Sequence, residues 1–132
     1  MRELILSVLI SRPIDGVFEY LIDPNHSPDW IESFKEESAE PWPPRVGTTY
    51  RNSNYEGQWS EYLVEAFKPP RHFGLASVAT TYHVEYLLSS PSPRATKLIY
   101  HEWVEEGELD DPFTIEPLDK LRKILEAAAP SK

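Results

Sequence analysis

What most constrains this chain is a change of hydrophobic period near its C-terminal end. Leu118, Leu121, Leu125 and Ala128 recur at i, i+3, i+7 and i+10 with Ile124 beside them, while Asp119, Lys120, Arg122, Lys123 and Glu126 fall between. This pattern predicts one amphipathic helix over Asp111–Ala129. Nothing helical of similar length occurs elsewhere, and most of the preceding chain reads as strands. A one-sided apolar stripe must cover something, so the expected partner of this helix is a sheet.

The sheet can be read in order. Glu3–Ile10 is a first strand, rich in Leu, Ile and Val at nearly every position. Ser11-Arg12-Pro13 opens a short helix, with Ser11 or Arg12 as cap and Pro13 in the first turn, where its missing N–H has no partner to lose. Ile14, Val17, Phe18 and Leu21 form its apolar face, and Asp23-Pro24 ends it. Ser27-Pro28-Asp29-Trp30-Ile31 predicts a second short helix capped by Ser27. Phe34–Glu40 alternates weakly, as an edge strand does, and Trp42 among Pro41, Pro43 and Pro44 makes a rigid extended connection. From Thr48 the period is two: strands over Thr48–Ser53, Gln58–Phe67, Arg71–Ser77, Thr80–Ser89 and Ala95–Glu105, with turn-forming residues between them. Short connections predict an antiparallel meander. The fold class is therefore α+β: about seven antiparallel strands, two short helices after the first strand and a longer C-terminal helix. The 132 residues are expected to form a single domain, 1–132.

Composition excludes several classes of function. The net charge is −9, from 22 acidic and 13 basic residues, which argues against nucleic acid or an anionic membrane as partner. The apolar run Leu4–Ile10 is too short to span a bilayer and no small-residue cleavage site follows it. The expectation is a cytoplasmic protein without stable membrane insertion. There is no cysteine, hence no disulfide and no thiolate chemistry. His26, His72, His83 and His101 are scattered, with no dense ligand cluster, so no metal site is expected. No glycine-rich phosphate loop or nucleophile-elbow motif occurs, and no cofactor is implied.

The aromatic residues carry most of the chemistry: four Trp, seven Tyr and five Phe. Tyr82, Val84, Tyr86 and Leu88 alternate and share one strand face, and Tyr62 shares a face with Val64, while Tyr50 stands on the strand before. Two registers are open for the last hairpin. A five-residue loop, Ser90–Arg94, puts Thr96, Leu98, Tyr100 and Glu102 on the face of Tyr82 and Tyr86. A four-residue loop puts Lys97, Ile99, His101 and Trp103 there instead. The first keeps Lys97 in solvent and is preferred. It leaves Ile99 and Trp103 outside, an apolar outer face that would suit self-association as a homodimer. It also turns Glu102 toward tyrosines, where a carboxyl can do acid–base work.

Several stretches together resemble the helix-grip superfamily, which includes START lipid-transfer domains, birch-pollen-allergen-type proteins and polyketide cyclase/dehydrase-like (SRPBCC) proteins. They are Ile10-Ser11-Arg12-Pro13 leading into Val17–Asp23; Asp29-Trp30; Val46-Gly47-Thr48; Gly57 and Val64 with Pro69–Phe73; Tyr82–Leu88; Thr96-Lys97-Leu98; Glu102; and the Leu118–Leu125 helix. The resemblance covers nearly the whole chain. It implies a curved sheet gripping the C-terminal helix, with a cavity between them for a small hydrophobic or aromatic ligand. The ligand-binding residues it then implies are Trp30, Phe34, Tyr50, Tyr62, Tyr82, Tyr86, Tyr100, Glu102, and Leu121 and Leu125 from the helix. The alternatives are a cyclase/dehydrase- or aromatase-like enzyme using Glu102 and a tyrosine, and a protein-interaction module using the outer sheet face; whether the chain is an enzyme stays open. Two features depart from the family pattern. The stretch between Gly107 and the last helix is short, and the helix from Pro112 to Ala129 is only about 27 Å long, so the cavity is expected to be small or open. Pro117 either kinks the helix or marks its start.

Overall fold

The structure, a computed structural model, describes residues 2–128. Its elements are β1 (Arg2–Ile10), α1 (Ile14–Ile22), α2 (Ser27–Trp30), β2 (Glu36–Glu40), β3 (Thr49–Ser53), β4 (Trp59–Lys68), β5 (His72–Ser77), β6 (Tyr82–Ser92), β7 (Ala95–Val104) and α3 (Ile115–Ala127). The seven strands form one antiparallel sheet in the order β1-β7-β6-β5-β4-β3-β2. β2 to β7 are a meander, and β1 closes the far edge beside β7. All three helices lie on the concave face.

Curvature has a local cause. The β4–β5 register shifts between Val64 and Ala66, leaving a bulge that bends the strand. Gly74 lies opposite; a Cβ there would lie 3.3 Å from the Ala66 Cβ, a tight contact that would push the strands apart by a few tenths of an ångström. The last hairpin adopts the register that pairs Tyr86 with Tyr100 and Leu88 with Leu98. Thr96, Leu98, Tyr100 and Glu102 are buried on the inner face, and Lys97 is exposed. The physical reason is the cost of burying an unpaired ammonium, which the other register would incur.

α1 buries Val17, Phe18 and Leu21 as its spacing predicts, although Pro13 itself occupies the cap position. α2 differs in detail: its cap is His26, and the Ser27 hydroxyl is used elsewhere. The C-terminal helix differs more. It begins at Ile115, not Asp111, and Asp111 caps nothing; its φ of 53° places it in the left-handed region before the helix. Pro117 is the third helical residue, within the first turn, so it neither kinks the helix nor costs a hydrogen bond. Ala129, the last residue of the predicted helix, lies outside the described residues.

Leu118, Leu121 and Leu125 are buried and pack α3 against β1 and α2. Each contributes about 1.5–3 kcal/mol by area removed from water. The last turn of α3 contains no basic residue of its own. Arg12 supplies one: its guanidinium donates to the Glu126 and Ala128 carbonyls at 2.7 and 2.6 Å, while the Ser11 N–H donates to the Glu126 carboxylate at 2.8 Å. The helix is thereby fastened to the β1–α1 turn, at one end of the concave face. The other end is left for the cavity.

Candidate functional site

A cavity of about 570 Å³ lies between the concave face and the α1–α2 region, within the size range of small-ligand sites. Tyr50, Tyr62, Phe73, Leu75, Tyr82, Val84, Tyr86, Tyr100 and Glu102 reach it from the sheet. Leu21, Ser27, Trp30, Ile31 and Phe34 close it from the helical side, and Phe113 from the approach to α3. Exposed Trp59, Val78, Asp110 and Asp111 border its opening.

The walls are a connected set of rings. Tyr86 stacks on Phe73 at 6.1 Å and meets Tyr100 and Trp30 edge-on at 5.5 and 6.4 Å. Tyr100 stacks on Phe113 at 4.4 Å, and Tyr62 meets Tyr82 edge-on at 6.3 Å. Such offset and edge contacts fix ring orientation beyond what area burial alone does.

Glu102 and Glu37 set carboxyl groups among these rings. Glu102, only 3 % exposed, accepts hydrogen bonds from the Tyr100 hydroxyl at 2.6 Å and the Tyr82 hydroxyl at 2.7 Å through one oxygen. Its other oxygen accepts the Phe113 N–H at 3.0 Å, which ties the approach to α3 onto the sheet. Glu37 comes from edge strand β2, in register with Asn52. It accepts the Ser27 hydroxyl at 2.5 Å and the Asn52 amide at 3.3 Å. Burial pushes its carboxyl up to about 7, against the lowering effect of those two donors. Burial also raises the hydroxyls of Tyr82, Tyr86 and Tyr100, with Glu102 adding to the effect, so these phenols act as donors at neutral pH. Tyr50 donates to the Ile22 carbonyl at 2.7 Å. The buried Trp30 indole N–H has no hydrogen-bond partner among the described residues.

Eight of the ten residues expected from the sequence line this cavity: Trp30, Phe34, Tyr50, Tyr62, Tyr82, Tyr86, Tyr100 and Glu102. Leu121 and Leu125 do not, and no residue of α3 does. The expected wall of the pocket is a correction: α3 sits over β1, and its leucines are consumed by the core that holds it there. Glu37 was missed. Glu36, Glu37, Ser38 and Glu40 are all polar, so the inward phase of β2 shows only in the small residue Ala39, two positions on.

Three of the histidines, His72, His83 and His101, lie on the convex face, while His26 caps α2 and stacks on Tyr20 at 4.1 Å. His72 and His101 both bond to Glu85, at 2.7 and 2.9 Å, and His101 continues to Glu3 at 2.8 Å. His83 bridges Glu65 and Glu105, and Trp103 stacks against both His83 and His101. Among the described residues no group of three or more His, Asp or Glu side chains is arranged to hold a metal ion, and no helix is long and apolar enough to cross a membrane.

These features define a helix-grip-like α+β protein with an open, aromatic-lined cavity. Solved structures with the same architecture include the MLL2253 protein of Mesorhizobium loti, which is 17% identical with a TM-score of 0.78 over 98% of this chain and 100% of that one. XoxI of Bacillus cereus is 14% identical with a TM-score of 0.75, over 94% of this chain and 95% of its own. DynU16, a protein in the dynemicin biosynthetic locus, is 19% identical with a TM-score of 0.68, over 95% of this chain and 47% of its own. At these identities the likeness shows the fold alone. No protein-family model matches the sequence, and no curated protein does.

Proposed function

We propose that this chain binds a small hydrophobic or aromatic molecule in the cavity over its concave sheet face, as a single SRPBCC-type domain working in the cytoplasm. The observation that carries this reading is the cavity itself: about 570 Å³ of space in a small protein, walled by rings already oriented by one another. Tyrosine hydroxyls and two carboxyls give a bound molecule polar points of reference. The fold shared with a protein of the dynemicin biosynthetic locus agrees with small-molecule chemistry.

Native mass spectrometry of freshly purified protein tests it, with the expectation of a retained small molecule. Ligand addition should also raise the melting temperature by linkage. A bare polypeptide mass, together with no thermal shift across a broad library of apolar and aromatic compounds, would sink the reading.

Acid–base catalysis of the cyclase/dehydrase kind is a second reading. What favours it is a carboxyl that titrates near neutrality in the cavity wall, which Glu37 provides. Glu102 is the weaker candidate because three protein donors already occupy it. Self-association through the convex face draws on Ile5 and Leu9, which are 59% and 56% exposed on edge strand β1. A monomer by light scattering at high concentration would count against it.

A further inference from the structure

The cavity is asymmetric in charge. Glu37, Glu61, Glu102, Asp110 and Asp111 line it, and among the described residues no Lys, Arg or His does. Glu61 is paired with Arg51 on the surface. Glu37 and Glu102 have only neutral partners: hydroxyls, an amide and a backbone N–H. Glu102 is buried and Glu37 is half-buried; a carboxylate drawn out of water without a counter-cation is costly, and the usual remedies are protonation or a cation brought from outside. Glu102 is the better satisfied of the two, holding three donors. Glu37 holds two, one of them at 3.3 Å, which leaves an oxygen with capacity to accept more.

From the charge and the rings together we infer, resting on the ligand-binding reading above, that the cavity takes an aromatic or amphiphilic amine, with its ammonium against Glu37 and its apolar body among the tyrosines. Aromatic faces such as those of Trp30, Tyr62 and Tyr86 attract cations as well as apolar groups. An anionic ligand such as a fatty acid meets carboxylates at the opening and within, with no basic group to receive it. A metal cation is disfavoured, because its oxygen ligands would have to converge and the carboxyls here do not.

Three probes of matched shape separate the possibilities: tryptamine, the neutral ethylindole and the anionic indolepropionate, each titrated calorimetrically into the intact protein near pH 8. The expected result is tryptamine bound at least about tenfold more tightly than ethylindole, with indolepropionate weakest. Glu37→Gln should lower the ratio of tryptamine to ethylindole affinity about tenfold, whereas Glu56→Gln, at an exposed carboxyl outside the lining, should leave that ratio where it was. Unfolding curves of each variant confirm that the ratio is read on folded protein. If ethylindole or indolepropionate binds as well as tryptamine, the amine inference is overturned and the cavity remains a ligand site. If Glu37→Gln leaves the ratio intact, the assignment of the ammonium to Glu37 is overturned. If no probe of any charge binds, the amine inference is overturned, and the ligand-binding reading is decided by the native mass and the thermal-shift library.

Discussion

Glu37 and Glu102 are the same amino acid facing the same cavity, and their partners give them different work. Glu102 is an anchor: it gathers two tyrosine hydroxyls and the Phe113 N–H around one carboxyl. Glu102→Ala would strand those donors, each costing about 1–3 kcal/mol if left unsatisfied. We expect a net loss of about 2–4 kcal/mol, softened because Tyr82 and Tyr100 already lie 3.3 Å apart and can bond to each other. Urea denaturation checks this, and a change below about 0.5 kcal/mol would show the anchor to be dispensable. Glu37 is instead a titrating group. Its folded pKa of about 7 stands above the ordinary 4.5, so between those values the folded protein holds a proton that the unfolded chain releases. Stability contributed by this proton is present below pH 4.5 and is lost as pH rises to about 7, by at most about 3 kcal/mol. The groups facing Glu37 are neutral Ser27 and Asn52, with Tyr50, Tyr62 and Tyr86 feeling its charge. Glu37→Gln should therefore lack this slope. Burial lowers the His83 and His101 imidazoles, but their glutamate partners outweigh it and hold both pKa values up. Their stabilisation is also lost as pH rises, above the ordinary histidine value. It is common to wild type and variant, so the difference between the two curves isolates Glu37. Parallel curves from pH 5 to pH 8 would refute the assignment.

Among the elements, α3 shows best how far the sequence could be read. Its stripe of Leu118, Leu121 and Leu125 identified a buried helix face correctly, because periodicity reports burial. It could not report which surface does the burying, since any apolar partner satisfies the same pattern. The structure places that partner at β1 and α2, away from the cavity. Leu121→Ala should accordingly cost about 2–5 kcal/mol of stability. Ligand affinity, measured well below the melting temperature, should change less than about threefold; a larger loss would return α3 to the cavity wall. The β6–β7 register was legible for a different reason: one charged residue, Lys97, must face solvent, and a one-residue slip would move it inside. The start of α3 was misread because Asp111-Pro112 has the composition of a cap followed by a first helical turn. Asp111 instead has a positive φ, and the approach after it is tied to Glu102 through the Phe113 N–H, a long-range contact that no local pattern encodes. β2 is the opposite case to β7. Its residues are nearly all polar, so only its pairing with β3 and the hydroxyl of Ser27 select Glu37 as the inward group. Ser27 likewise resembles a helix cap in sequence, and tertiary structure redirects its hydroxyl to a strand.

At the scale of the whole molecule, charge and shape act on the same ligand. A net charge of −9 surrounds a cavity whose opening carries Asp110 and Asp111, so the long-range field favours cations before any contact forms. This field and the proposed contact with half-buried Glu37 respond differently to salt. The screening length falls from about 30 Å at 0.01 M ionic strength to about 8 Å at 0.15 M, which removes most attraction from distant surface carboxylates. A pair shielded inside the cavity is screened much less. Tryptamine affinity should therefore weaken about three- to tenfold over that range, while ethylindole, which carries no charge, should hold nearly constant. The informative quantity is what remains at 0.15 M. A persistent preference for the amine that disappears only with Glu37→Gln assigns selectivity to the Glu37 carboxyl. A preference that vanishes with salt in the wild-type protein assigns it to the surface field alone, and the aromatic walls would then recognise shape without regard to charge.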